Sequence, residues 1–131
     1  MSGGNIHCGS FTGNDKSGSA LEGVLAALSE QAGDIVQEIR TGLDEGDYVL
    51  IPETRAVQLL PLLRSYRQAL ISEMGHEDWA RETAAEESAG MDSIKAKWGA
   101  GRGWRLYCVT DLIRACEASI AQHEVICVAF S

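Results

Sequence analysis

Four places in this 131-residue chain set side by side residue types that do chemistry. His7 and Cys8 place an imidazole next to a thiol, the pairing of a base with a nucleophile. Neighbours in a strand point to opposite faces, however, so this imidazole cannot take that thiol's proton and Cys8 reads as packing. Glu53 and Arg55 follow the apolar run Tyr48–Ile51, and Thr110 and Asp111 follow another at 104–109. Acids at the carboxyl ends of neighbouring strands stand where ligands of α/β sheets bind, and a pair of them is suited to acid–base work. Helix starts also attract acids, through the dipole and through capping, and that commoner role is the expected one for both. Gly99, Gly101 and Gly103 are spaced like a phosphate cradle. Phosphate loops follow a strand and open a helix, whereas this one precedes the strand expected at 104–109, so it is read as a turn.

Cys8, Cys108, Cys116 and Cys127 lie in or beside apolar runs, and none has a second cysteine at the close spacing of zinc ligand pairs. They are expected to be buried, reduced thiols. His76 and His123 have no neighbours that would complete a site. The chain is therefore expected to hold no metal and no cofactor, and no residue is assigned a catalytic role.

The elements that must position these groups follow from periodicity. Residues 5–11 suggest a short first strand. Ser19 with Glu22 forms a capping-box pattern, and Leu21, Val24, Leu25, Leu28, Ala32, Ile35 and Ile39 recur at helical spacing. The pattern predicts one helix to about Thr41, with Gly42 as its left-handed cap and Gly33 as an internal weakness. Tyr48–Ile51 reads as a strand ended by Pro52. Ala56, Leu59, Leu60, Leu63, Tyr66, Leu70 and Met74 then share a helical face, which Pro61 is expected to kink or split. Residues 76–97 suggest a weaker helix. Residues 104–109 read as a strand, Asp111 as the cap of a helix, and 125–130 as a strand apolar on both faces, central in a covered sheet. A crossover so short implies that these last two strands are parallel.

The fold class expected is α/β or α+β: a single domain over 1–131, with a mixed sheet of about four strands packed by helices and a C-terminal β-α-β unit. The apolar runs are too short to span a bilayer, and the first residues lack a basic leader followed by an apolar stretch. These features predict a cytoplasmic protein.

Net charge is −8, and it is concentrated. Residues 1–47 carry eight acids against Lys16 and Arg40, and residues 76–94 carry six against Arg81. A nucleic-acid binder needs a basic stripe to displace counterions, so direct binding to nucleic acid or to an anionic membrane is disfavoured. Asp44, Glu45 and Asp47 form one acidic set; Glu77, Asp78, Glu82, Glu86 and Glu87 form a second, interleaved with Trp79. Either can be a solvated face. An aromatic anchor within a charged rim is also the composition of a recognition surface, and these nine residues are the expected partner-binding site.

The strand Tyr48–Ile51 running through Pro52 and Glu53 into a leucine-rich helix, then Gly103, Trp104, Tyr107, Cys108, Asp111, Cys116 and the closing run 125–130, resemble small bacterial immunity proteins. These accompany contact-dependent inhibition toxins and related polymorphic toxins, and the similarity covers about the second half of the chain. The resemblance implies a cytoplasmic inhibitor, without enzymatic activity, that binds the C-terminal domain of its cognate toxin. An acidic inhibitor suits a basic, nuclease-type toxin. The alternative is a small enzyme or ligand sensor working at the strand ends near Glu53 and Asp111; a third is a subunit of a larger assembly.

Overall fold

In the computed structural model, which describes residues 3–13, 16–74 and 102–130, β1 (Gly3–Cys8) turns through Gly9 and Ser10 into β2 (Phe11–Thr12). Gly9 has φ +55°, a backbone that L side chains resist, and glycine as the first residue of a two-residue hairpin loop meets that demand. After β3 (Lys16–Ser17) come α1 (Gly18–Leu28), α2 (Gly33–Glu45), β4 (Tyr48–Ile51), α3 (Glu53–Met74), α4 (Arg102–Gln122) and β5 (Ile126–Phe130).

The sheet runs β2-β1-β5-β4, with β3 continuing the β2 edge of β1. Every pairing is antiparallel. The α+β class, one layer of helices on one sheet, stands as expected. The C-terminal β-α-β unit does not: 104–109 is not a strand but part of α4, so no parallel crossover exists and the sheet is antiparallel throughout. The reason lies in α4's surroundings. Leu106, Cys108, Val109, Leu112, Ile113, Ala115, Cys116 and Ala118 are all buried, because α4 packs on α3, α1 and β1 at once. A helix enclosed on most sides carries no apolar stripe, so its period is hidden.

β5 is central, as its composition suggests, but it is not covered twice. Ile126, Val128 and Phe130 are buried while Cys127 and Ala129 between them are only half-buried. The same alternation places Ile6, Cys8 and Ile51 in the core. Among the described residues the helices therefore cover one face of the sheet.

The long helix expected to reach Thr41 is two. α1 ends at Leu28 and α2 begins at Gly33, yet Ala32 N–H still donates to Leu28 O (2.9 Å) and Val36 N–H to Ala32 O (2.9 Å). The apolar phase passes unbroken through the joint, and Leu28, Ala32, Ile35 and Ile39 are all buried. Ser19 lies inside α1 rather than capping it, and Glu22 turns to Arg40. Gly42 is not a cap either: it lies within α2. A Cβ there would meet the Val49 side chain at 2.7 Å, so its glycine serves the approach of α2 to β4. α3 runs unsplit through Pro61. The proline deprives the Val57 carbonyl of a helix donor, but Val57 is exposed and water can take the donor's place.

Candidate functional site

The site is built where α2 hands over to β4. The last turn of α2 contains Asp44 and Glu45 and no base. Gly46 N–H donates to Gly42 O (3.0 Å), closing the helix, and the Asp47 carbonyl accepts from Phe130 N–H (2.9 Å), fixing the turn onto β5. All three acids are exposed. Four other described carboxylates have cations: Asp34 and Glu38 share Arg55, Glu22 has Arg40 and Glu117 has Arg64. No described cation pairs with Asp44, Glu45 or Asp47. Two of them also sit at the negative end of the α2 dipole, where a carboxylate is unfavourable by about 0.3–1 kcal/mol.

Directly after this turn, β4 is the outermost described strand on its side of the sheet. Val49 pairs with Val128 and Ile51 with Ile126. Because Phe130 N–H reaches Asp47 O across the Tyr48–Ala129 pair, that pair is the non-bonded kind, and bonding alternates from there. Val49 and Ile51 thus bond to β5, while the N–H and C=O groups of Tyr48 and Leu50 point away from the sheet. The side chains of the same two residues are 59% and 53% exposed. They share the uncovered face with half-buried Cys127 and Ala129, and Val125 precedes them at 47% exposure.

Along α2 runs an open trough of about 470 Å³ lined by Asp34, Gln37, Glu38, Thr41, Gly42 and Glu45. Its Gly42 end adjoins β4, since Gly42 packs on Val49. The edge strand therefore has carboxylates on its helix side and apolar side chains on its open side.

Of the nine expected partner-binding residues, Asp44, Glu45 and Asp47 are brought together here. Glu77, Asp78, Trp79, Glu82, Glu86 and Glu87 lie outside the described residues, as does most of the glycine loop 99–103. Tyr48 and Leu50 were missed, because an unbroken apolar run shows no alternation to tell its exposed face from its buried one. The signal lay in their position next to three acids.

The strand-end pair is not assembled. Glu53 opens α3 and its Oε1 lies 2.9 Å from Nδ1 of His123, just past α4. Asp111 is no cap and is not at a strand end: it is buried within α4, about 18 Å back along the helix axis from His123. Its carboxylate abuts the turn at Gly13, where a Cβ would fall 2.5 Å from Oδ2. His7 is exposed and Cys8 buried, on opposite faces as alternation requires. Burial pushes the Cys8 thiol up, opposed by a hydrogen bond with Ser119. Cys108 is buried too, but on a helix and not in strand alternation with Trp104 and Leu106. The α3–α4 interface holds two cations that the sequence did not single out: Arg67 Nε donates to Thr110 Oγ1 (3.0 Å) and Arg105 to the Tyr66 hydroxyl (3.3 Å). Burial pushes the Tyr66 hydroxyl up, against the pull of Arg105.

No protein-family model, curated protein or solved structure matches the chain. No helix among the described residues is long and apolar enough to cross a membrane.

Proposed function

We propose that this chain is a cytoplasmic, non-catalytic immunity protein that binds and neutralises the C-terminal domain of a cognate, basic, nuclease-type toxin. The observation that carries this reading is the turn of Asp44, Glu45 and Asp47, with no cation paired to it among the described residues, running straight into exposed Tyr48 and Leu50. Apolar anchors beside a charged rim are what a recognition surface needs. A nuclease must be cationic to hold phosphates, so carboxylates at the helix end would find their counter-charges on it. Complementary fields of this kind raise association to roughly 10⁸–10⁹ M⁻¹s⁻¹ at low salt. Inhibition by covering an active site asks no reacting group of the inhibitor. It is also the role implied by the family that the sequence resembles.

The test is growth protection. Cells producing the toxin domain whose gene adjoins that of this chain should survive when the chain is co-produced. The triple variant D44K/E45K/D47K, folded by circular dichroism, should protect poorly and associate about tenfold or more slowly at low salt. Equal protection by the variant, with an unchanged association rate, would remove the acidic turn from the interface.

A further inference from the structure

The geometry points to the free edge of β4 as the place where an extended segment of a cationic protein adds to the sheet as a further antiparallel strand, with alternate residues apolar and basic. This rests on the reading of the chain as a binder of such a protein and specifies how the contact is made.

Three observations converge. The register leaves the N–H and C=O groups of both Tyr48 and Leu50 directed outward, two donors and two acceptors in a row, with no described strand beyond them. Such an edge is a template for pairing unless it is blocked. Natural edges are blunted by inward charges, bulges or proline; among the described residues only the far end is closed, by Pro52, whose carbonyl is taken by Arg55 and Ala56 N–H at the start of α3. The two sides of the edge then differ in chemistry. Residues directly opposite Tyr48 and Leu50 would lie on the open face beside those two exposed side chains, which favours apolar groups. The residues between them would lie on the helix side, near Asp47, Glu45 and the Gly42 end of the acidic trough, which favours lysine or arginine.

A second copy of this chain fits poorly. Edge-to-edge pairing of two β4 strands would bring two chains of net charge −8 together with each acidic turn on the shared edge. A cationic strand removes the repulsion that a second copy would double.

The experiment uses the intact protein and a blocked hexapeptide of alternating lysine and valine, with amide hydrogen exchange followed by NMR. On binding, exchange at Tyr48 and Leu50 should slow about tenfold or more while the β4–β5 amides change little. In an antiparallel addition the valines face Tyr48 and Leu50 and make the hydrogen bonds. Methylating the valine nitrogens of the peptide should therefore weaken binding about tenfold or more, and methylating the lysine backbone nitrogens should not. Leu50→Pro, which removes an outward donor and leaves the β5 ladder intact, should act like the methylated valines. The peptide comparison stands even if that variant does not fold.

Three results would overturn the inference. One is no binding. Another is binding without protection of Tyr48 and Leu50, which leaves the acidic turn as a charge contact alone. The third is protection of both amides already in the free chain, whether sedimentation shows a dimer or a monomer. Protection by the peptide in a chain that neutralises no toxin would instead keep the strand site and discard the immunity role.

Discussion

The four thiols show how burial decides reactivity residue by residue. Cys116 is buried in α4, and loss of solvent pushes its thiol up to about 12, with Cys8 and Glu117 adding in the same direction. A thiol raised in this way stays protonated and is a poor nucleophile. Cys8 and Cys108 are also enclosed, whereas Cys127 lies half-buried on the open face of the sheet. At pH 8 an aromatic disulfide reagent should label Cys127 first and the other three only as denaturant opens the fold; early labelling of Cys116 would contradict its enclosure. The same shift bears on stability. The unfolded thiol ionises near 9.0 and the folded one near 12, so the native state is the better proton binder between those values. The contribution is whole below pH 9 and is lost as pH rises toward 12, at about 1.4 kcal/mol per pH unit for one thiol. Urea midpoints measured from pH 8.5 to 11 should fall more steeply for the wild type than for Cys116→Ala. Parallel curves would assign the alkaline loss to other groups.

At the scale of elements, two glycines of α2 should respond in opposite directions to the same change. A Cβ on Gly33 would meet nothing within 4 Å, and its φ is not in the left-handed region, so Gly33→Ala should stabilise by about 0.5–1 kcal/mol. A Cβ on Gly42 would press on Val49 Cβ and Cγ2 at 2.7 Å, so Gly42→Ala should cost about 1–3 kcal/mol by lifting α2 from β4. Denaturant melts of the two variants check both signs. From sequence alone Gly33 reads as an internal weakness of one long helix, whereas it is the first residue of α2, and Gly42 reads as a cap that it is not, because a cap is a local signal and a close approach is not. The same divide explains the rest. The apolar positions of α1, α2 and α3 were legible from their helical period, and the strand Tyr48–Ile51 and the closing strand from short unbroken apolar runs. The break between α1 and α2 was not, because Ala32 continues the helical phase across it. Nor was α4: Tyr107, Cys108 and Val109 carry β propensity, and burial against three neighbours overrode it. Of the site, the acids could be read and the edge could not, since which strand ends a sheet is set by the order in which distant segments pair.

For the whole molecule, charge and topology meet at one corner. A chain of net charge −8 would be expected to spread its acids or pair them, and the arginines on α2 and α3 do pair with Glu22, Asp34 and Glu38. Asp44 and Glu45 are left at the helix end where the dipole opposes them, next to Asp47 and beside a sheet edge with no described strand beyond it. If those carboxylates served the fold, replacing them would weaken it. If they await a cation from elsewhere, the free protein should gain from their removal. The double variant D44K/E45K should accordingly be more stable than the wild type by about 0.5–1.5 kcal/mol at low salt, because each lysine now complements the dipole and like-charge repulsion with Asp47 is relieved. In 1 M salt, where the screening length falls to about 3 Å, most of that gain should vanish. Urea unfolding at the two salt concentrations distinguishes the cases. A stability loss, or a gain indifferent to salt, would mean that the turn is held by contacts within the chain and has no unmet charge to offer a partner.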